Sequence, residues 1–166
     1  MATELTTARL LLRPARVSDA LVQRELWAER DPRVPAHRRI DADGHPTLTE
    51  LEDRIRAGAQ PGLLMVSVGG DVIGYCGIID NAHGPADEPE LAYELLRRAW
   101  GNGYATEAAE AVVAWARASG YRRLWAGVRE WNTASRRVLA KLGFVETDRV
   151  DTDPVHGDSI TTTREL

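Results

Sequence analysis

Apolar and polar positions change period several times along the chain, and each change marks an element. Residues 8–14, ARLLLRP, are a short apolar run closed by proline and predict a first strand. Ser18 or Asp19 then offers an N-cap to a helix running to about Arg30. The stretch 31–47 holds three prolines and a glycine, which predicts a surface loop with broken helical turns. A second helix is expected over 48–57. After it, LLMVSV (63–68), GGD and VIGYCGII (72–79) predict a strand, a tight glycine turn and a strand. PELAYELL (89–96) predicts another strand. Over 104–119 the period becomes helical, with Ala105, Ala108, Ala109, Val112 and Trp115 on one face and Gly120 as the stop. RLWAGV (123–128) returns to a strand, Asn132 caps a helix ending at Gly143, and GFVETDRV with SITTTREL predict a closing hairpin around DPVHGD.

Strand, two helices, three strands, helix, strand, helix, two strands: this order predicts an α+β fold in α/β/α layers. It gives a mixed, mostly antiparallel seven-stranded sheet with about four helices. At 166 residues the expectation is one domain over 1–166.

Composition narrows the function classes. A net charge of -4 lacks the basic excess that a nucleic-acid partner demands. Of the 21 basic residues only Lys141 is lysine, and Arg33, Arg38 and Arg39 form the one local basic cluster. A single cysteine, Cys76, alternates with Gly74 and Ile78 on one strand face and reads as a buried core residue, with no disulfide and no covalent acyl-enzyme implied. His37, His45, His83 and His156 fall in loop-like stretches without metal-ligand spacing, so no metal is expected; His83 is a minor candidate on the substrate side. The three-leucine run near the start is too short for a membrane span, and a soluble, cytoplasmic protein without a membrane partner is expected.

The chemistry concentrates at RRAWGNGYATEA, residues 97–108, where two glycines join a strand to a helix. Such a junction presents free backbone N–H groups at the positive end of a helix dipole and suits a phosphate, although Gly101 and Gly103 also serve as ordinary turn residues. The nucleotide P-loop and the dinucleotide fingerprint are both incomplete here.

Trp100-Gly101-Asn102-Gly103-Tyr104-Ala105 resembles the pyrophosphate-binding motif of the GCN5-related N-acetyltransferase (GNAT) superfamily, with Trp replacing the usual Gln or Arg at its first position. With Thr106-Glu107-Ala108 it is similar to the branch containing the ribosomal-protein N-terminal acetyltransferases. WNTASRRVLAKLGF (131–144) resembles the superfamily's later motif, Asn-x-x-Ser followed by a helix ending in Lys-x-Gly-Phe. The resemblance spans the chain and implies a GNAT fold splayed between its fourth and fifth strands, here 89–96 and 123–128.

It also implies acetyl-coenzyme A as cosubstrate, a primary amine as acceptor, either a protein N-terminus or a small molecule, and direct attack in a ternary complex. Residues 101–106 would hold the pyrophosphate by their backbone, with Thr106 adding its hydroxyl. Leu95 and Leu96, at the splayed strand end, would contact the cofactor through the backbone. Two adjacent buried leucines also suit a simple strand end, or a bulge. Asn132 would face the cofactor while also capping its helix. Ser135 would hydrogen-bond or protonate the leaving thiolate, because the tyrosine slot of the family's helix is Leu139 here. Glu94 is the candidate base, an arginine partner being the competing role and ordered water the competing base. Arg136 and Arg137 are reachable by a 3′-phosphate but also suit a solvated face. A non-catalytic acyl-coenzyme A-binding module is the second function class, and the oligomeric expectation is monomer or homodimer.

Overall fold

The computed structural model describes residues 4–81 and 84–166, so His83 lies outside the described residues. In chain order the elements are β1 (Leu5–Thr6), β2 (Leu10–Pro14), α1 (Ala20–Glu29), α2 (Leu48–Arg56), β3 (Leu63–Val68), β4 (Asp71–Ile79), β5 (Glu90–Leu95), α3 (Tyr104–Ala118), β6 (Arg123–Arg129), α4 (Thr133–Lys141), β7 (Val145–Asp151) and β8 (Ser159–Glu165). The α+β class and the four α-helices match expectation. The sheet has eight strands among the described residues, in the order β1-β2-β3-β4-β5-β6-β8-β7, where seven were expected. The extra strand is β1, whose pairing is only Leu5↔Leu12 and Thr6↔Leu11. Two residues are too few to leave a periodic signal.

Every neighbouring pair is antiparallel except β5 and β6. That parallel pair is registered at Glu90↔Trp125 alone, beside a Trp125 N–H donated to the Pro89 carbonyl at 3.0 Å. The sheet therefore opens between β5 and β6 toward the C-terminal end of β5, which is the splay the family resemblance implied.

Alternation along the strands sorts side chains onto two faces. Leu10, Leu12, Leu64, Val66, Cys76, Leu91, Leu95, Leu124 and Ala126 form one buried cluster with α3 and α4. From α3 it takes Ala108, Ala109, Val112, Val113 and Ala116; burying the two valines alone contributes about 3–6 kcal/mol. The opposite face carries Arg13, Met65, Tyr75 and Glu94, and α1 covers it: Asp19 binds Arg13 at 2.7 and 2.9 Å, and Gln23 lies 4.0 Å from the Met65 sulfur.

Asp19 is at the N-cap of α1 but does not cap it with its side chain. Its carboxylate instead accepts from Arg13 and from the Arg16 N–H at 2.7 Å. α2 shows a full capping box, with Thr47 Oγ1 accepting from the Glu50 N–H and Glu50 accepting from the Thr47 N–H. Among the described residues no helix is long and apolar enough to cross a membrane.

Candidate functional site

The glycine junction forms as the spacing suggests. β5 ends at Leu95, a single helical turn follows over Arg97–Ala99, and α3 begins at Tyr104. Gly101 and Gly103 have φ of +77° and +78°. A Cβ at 101 would meet nothing within 4 Å, so conformation and not crowding calls for glycine there. Gly103 is the N-cap of α3 and supplies no side-chain cap. The first N–H groups of a 15-residue helix therefore point outward at the positive end of its dipole.

Three side chains fix this turn. Trp100, 61% exposed, donates its indole N–H to the Leu95 carbonyl at 2.7 Å and clasps the strand end. Asn102 donates to the carbonyls of Ala99 and Trp100 at 3.1 and 3.0 Å. Arg9 reaches in from the turn before β2, donates to the Asn102 carbonyl at 3.0 Å and stacks over Tyr104 at 4.7 Å.

Arg9 also binds Glu107 at 2.6 Å, and Glu107 accepts from Thr7 as well. Burial would raise the Glu107 carboxyl; the Thr7 and Arg9 hydrogen bonds more than offset this and hold it below its ordinary range. The acid in the first turn of α3 is thus neutralised by a cation beside the N–H cradle, which leaves the cradle fit for an anion. Its neighbour Thr106 lines an open cleft of about 670 Å³ with Arg9, Gly103 and Lys141.

The two leucines part company. Leu96 is fully buried, its N–H donates to the Ile73 carbonyl at 2.8 Å, and its carbonyl accepts from Ala99 at 2.9 Å. Its N–H is thus committed to the sheet, which leaves the second lone pair of its carbonyl for the backbone contact expected of it. The β4–β5 register runs unbroken through Leu95, so no bulge separates the two. Because antiparallel pairing alternates, a Leu96 turned toward β4 leaves the backbone of Tyr93 and Leu95 turned toward the gap beside β6.

On the far side of that gap, Asn132 caps α4 by accepting from the Ser135 N–H at 3.1 Å. Ser135 Oγ lies 2.8 Å from the Tyr93 hydroxyl, which is also 3.2 Å from the Ser135 carbonyl. Burial pushes the Tyr93 phenol up to about 12 against the opposing pull of the Ser135 hydrogen bond, so it stays protonated. Sequence reasoning missed Tyr93. A signal was present, since alternation sets it on the same face as Leu91 and Leu95, toward α4.

Glu94 is one residue along and on the opposite face. Its two oxygens accept from Arg30 Nε and Nη2 at 2.8 and 2.7 Å, and Oε2 also accepts from the Tyr75 hydroxyl at 2.9 Å. The competing role foreseen for it, an arginine pair, is the one formed. Arg136 turns to Glu146 at 2.8 Å, while Arg137 is exposed. Cys76 is fully buried, and burial pushes its thiol well above the usual range.

A model described as the acetyltransferase (GNAT) domain matches residues 9–145. The chain belongs to the GNAT acetyltransferase family. A relative from Bacillus licheniformis, described as an uncharacterized N-acetyltransferase p20, is 32% identical over 149 residues, covering 84% of this chain and 81% of the relative. The GNAT domain also superposes on solved structures. An acetyltransferase from Agrobacterium tumefaciens is 27% identical with a TM-score of 0.72, covering all of this chain and 96% of that one. The ribosomal L7/L12 α-N-protein acetyltransferase RimL, solved with coenzyme A, shares the fold at 16% identity with a TM-score of 0.77, covering 98% of both chains.

Proposed function

We propose that this GNAT domain, as one domain over 1–166, transfers the acetyl group of acetyl-coenzyme A to a primary amine by direct attack in a ternary complex. The observation that carries the reading is the conjunction of an uncapped helix N-terminus behind two positive-φ glycines with a sheet that opens beside it. When bound, acetyl-coenzyme A supplies the thioester and a thiolate leaving group.

Residues 101–106 hold the pyrophosphate through their N–H groups, with Arg9 beside them. The Leu95 N–H, turned into the gap, is the donor placed to polarise the thioester oxygen. Asn132 orients α4 so that Ser135 faces the same gap.

Tyr93 and Ser135 act together as a hydroxyl pair. Burial holds the Tyr93 phenol well above the range of an ordinary thiol, so full proton transfer to the thiolate is uphill. The pair therefore stabilises the thiolate by hydrogen bonding, with Tyr93 donating to Ser135 Oγ and the serine proton directed at sulfur. Both Glu94 oxygens are already taken by Arg30 and Tyr75, and the ammonium proton leaves through water. Cys76 is too deeply buried to carry an acetyl group, which favours direct attack.

Thiol release from acetyl-coenzyme A with a panel of amines, read beside cofactor binding by thermal shift, tests the reading. Gly103→Glu should abolish cofactor binding, and Ser135→Ala should slow turnover while sparing it. Binding without thiol release for any amine favours a non-catalytic module, and normal turnover by both variants rules out the assigned roles.

A further inference from the structure

The face of β5 opposite the Tyr93–Ser135 pair holds an unbalanced cluster of charge. Trp27 on α1 has the Arg30 guanidinium over its ring at 4.3 Å and that of Arg54, from α2, at 5.8 Å. Arg30 also donates to the Arg38 carbonyl at 2.7 Å, which ties residues 31–47 to this spot. The guanidiniums of Arg30 and Arg54 thus gather on Trp27 beside the Arg38 backbone, and both oxygens of Glu94 are given to Arg30.

The neighbouring acids are spoken for. Asp31 pairs with Arg33, Glu52 and Asp53 pair with Arg56, and Glu29 accepts from the Arg97 N–H. Among the described residues Arg38 and Arg54 have no acidic partner, and both are exposed to an incoming molecule. Glu94 adjoins Leu95, whose N–H faces the opening in the sheet, so the cluster begins one residue from the place assigned to acetyl transfer. The α3/α4 face is occupied by the core and by the pyrophosphate cradle, which leaves this face for the acceptor.

Resting on the acetyl-transfer reading, we infer that the acceptor amine carries an anionic group, a carboxylate or a phosphate, bound by Arg38 and Arg54. The same unpaired cations disfavour an ammonium nearby and lower its pKa, which aids deprotonation at a site whose own carboxylate is locked. The ammonium first gives one proton to water; the amine then forms the C–N bond as the C–S bond breaks, and the second nitrogen proton leaves through water to the departing thiolate, which is released as the coenzyme A thiol.

Matched amines test this: 4-aminobutanoate against 4-aminobutanamide, and O-phosphoethanolamine against ethanolamine, each with acetyl-coenzyme A and mass detection of the product. We expect the anionic member of at least one pair to be favoured tenfold or more in kcat/KM, and the favoured pair distinguishes carboxylate from phosphate. Arg38→Gln or Arg54→Gln should shrink that ratio at least fivefold. On the unaltered chain, raising salt from about 50 to 300 mM should erode the ratio through screening, independently of any folding defect. The inference is overturned if neutral members are used equally well, if no anionic amine is acetylated, or if the ratio ignores both salt and substitution. Cofactor binding with turnover of neutral amines alone removes this inference and keeps the acetyl-transfer reading; absence of both binding and turnover removes that reading too.

Discussion

Replacing Glu94 by Gln separates a structural carboxylate from a catalytic one. In the folded chain the Arg30 side chain is 10% exposed and that of Glu94 24%, joined by two hydrogen bonds of 2.7–2.8 Å. Breaking a fully buried pair costs about 3–5 kcal/mol, and an exposed pair is worth about 0–1 kcal/mol. A pair on the margin between these falls near 2 kcal/mol. For a chain of this length each kcal/mol moves the melting midpoint by about 2–4 °C, so Glu94→Gln should melt about 4–8 °C lower. A cycle with Arg30→Met should show a coupling of about 1–2 kcal/mol, because the second substitution removes a cation already left alone. Turnover should fall less than about tenfold, with the pH–rate profile unchanged in shape. A variant that melts within 1 °C of the parent, loses more than a hundredfold in kcat and loses the acidic limb of its profile would refute this reasoning and restore Glu94 as the base.

The remaining expectations concern other parts of the fold. Burial would raise the Asp19 carboxyl, but Arg13 and the Arg16 N–H overcome it and depress its pKa; its contribution is present above the unfolded value near 3.9 and is lost as pH falls through the folded one, so wild type should lose more melting temperature than Asp19→Asn between about pH 5 and pH 3. Gly101→Ala has room for its Cβ but must hold φ near +77°, and should cost about 1–2 kcal/mol in denaturant unfolding while weakening acetyl-coenzyme A binding. Tyr93→Phe should lower kcat about tenfold with cofactor affinity within about twofold, a split that a mere packing defect would not give. Cys76 should react with a thiol reagent only on unfolding, so labelling and unfolding should share one rate; prompt labelling of the native chain would contradict its burial.

Short-range periodicity carried most of the fold. The 3.6-residue stripe of α3, the alternation in β3 through β6 and the glycine spacing at 101 and 103 are each written within a dozen residues, because a local backbone period fixes which side chains share a face. The family motif at 100–105 and the Asn132–Ser135 cap were legible for the same reason. What the sequence could not show are the pairings across long separations. Arg9 meets Asn102 and Glu107, Arg30 meets Glu94, and Tyr93 meets Ser135, each joined by strand order and by the opening between β5 and β6. Leu95 and Leu96 look equivalent as letters. Only the register with β4 decides that Leu96 spends its N–H on Ile73 and that Leu95 faces the gap. A hydrogen bond has one donor direction and one partner, and which partner stands there is a property of the folded sheet, not of the strand alone.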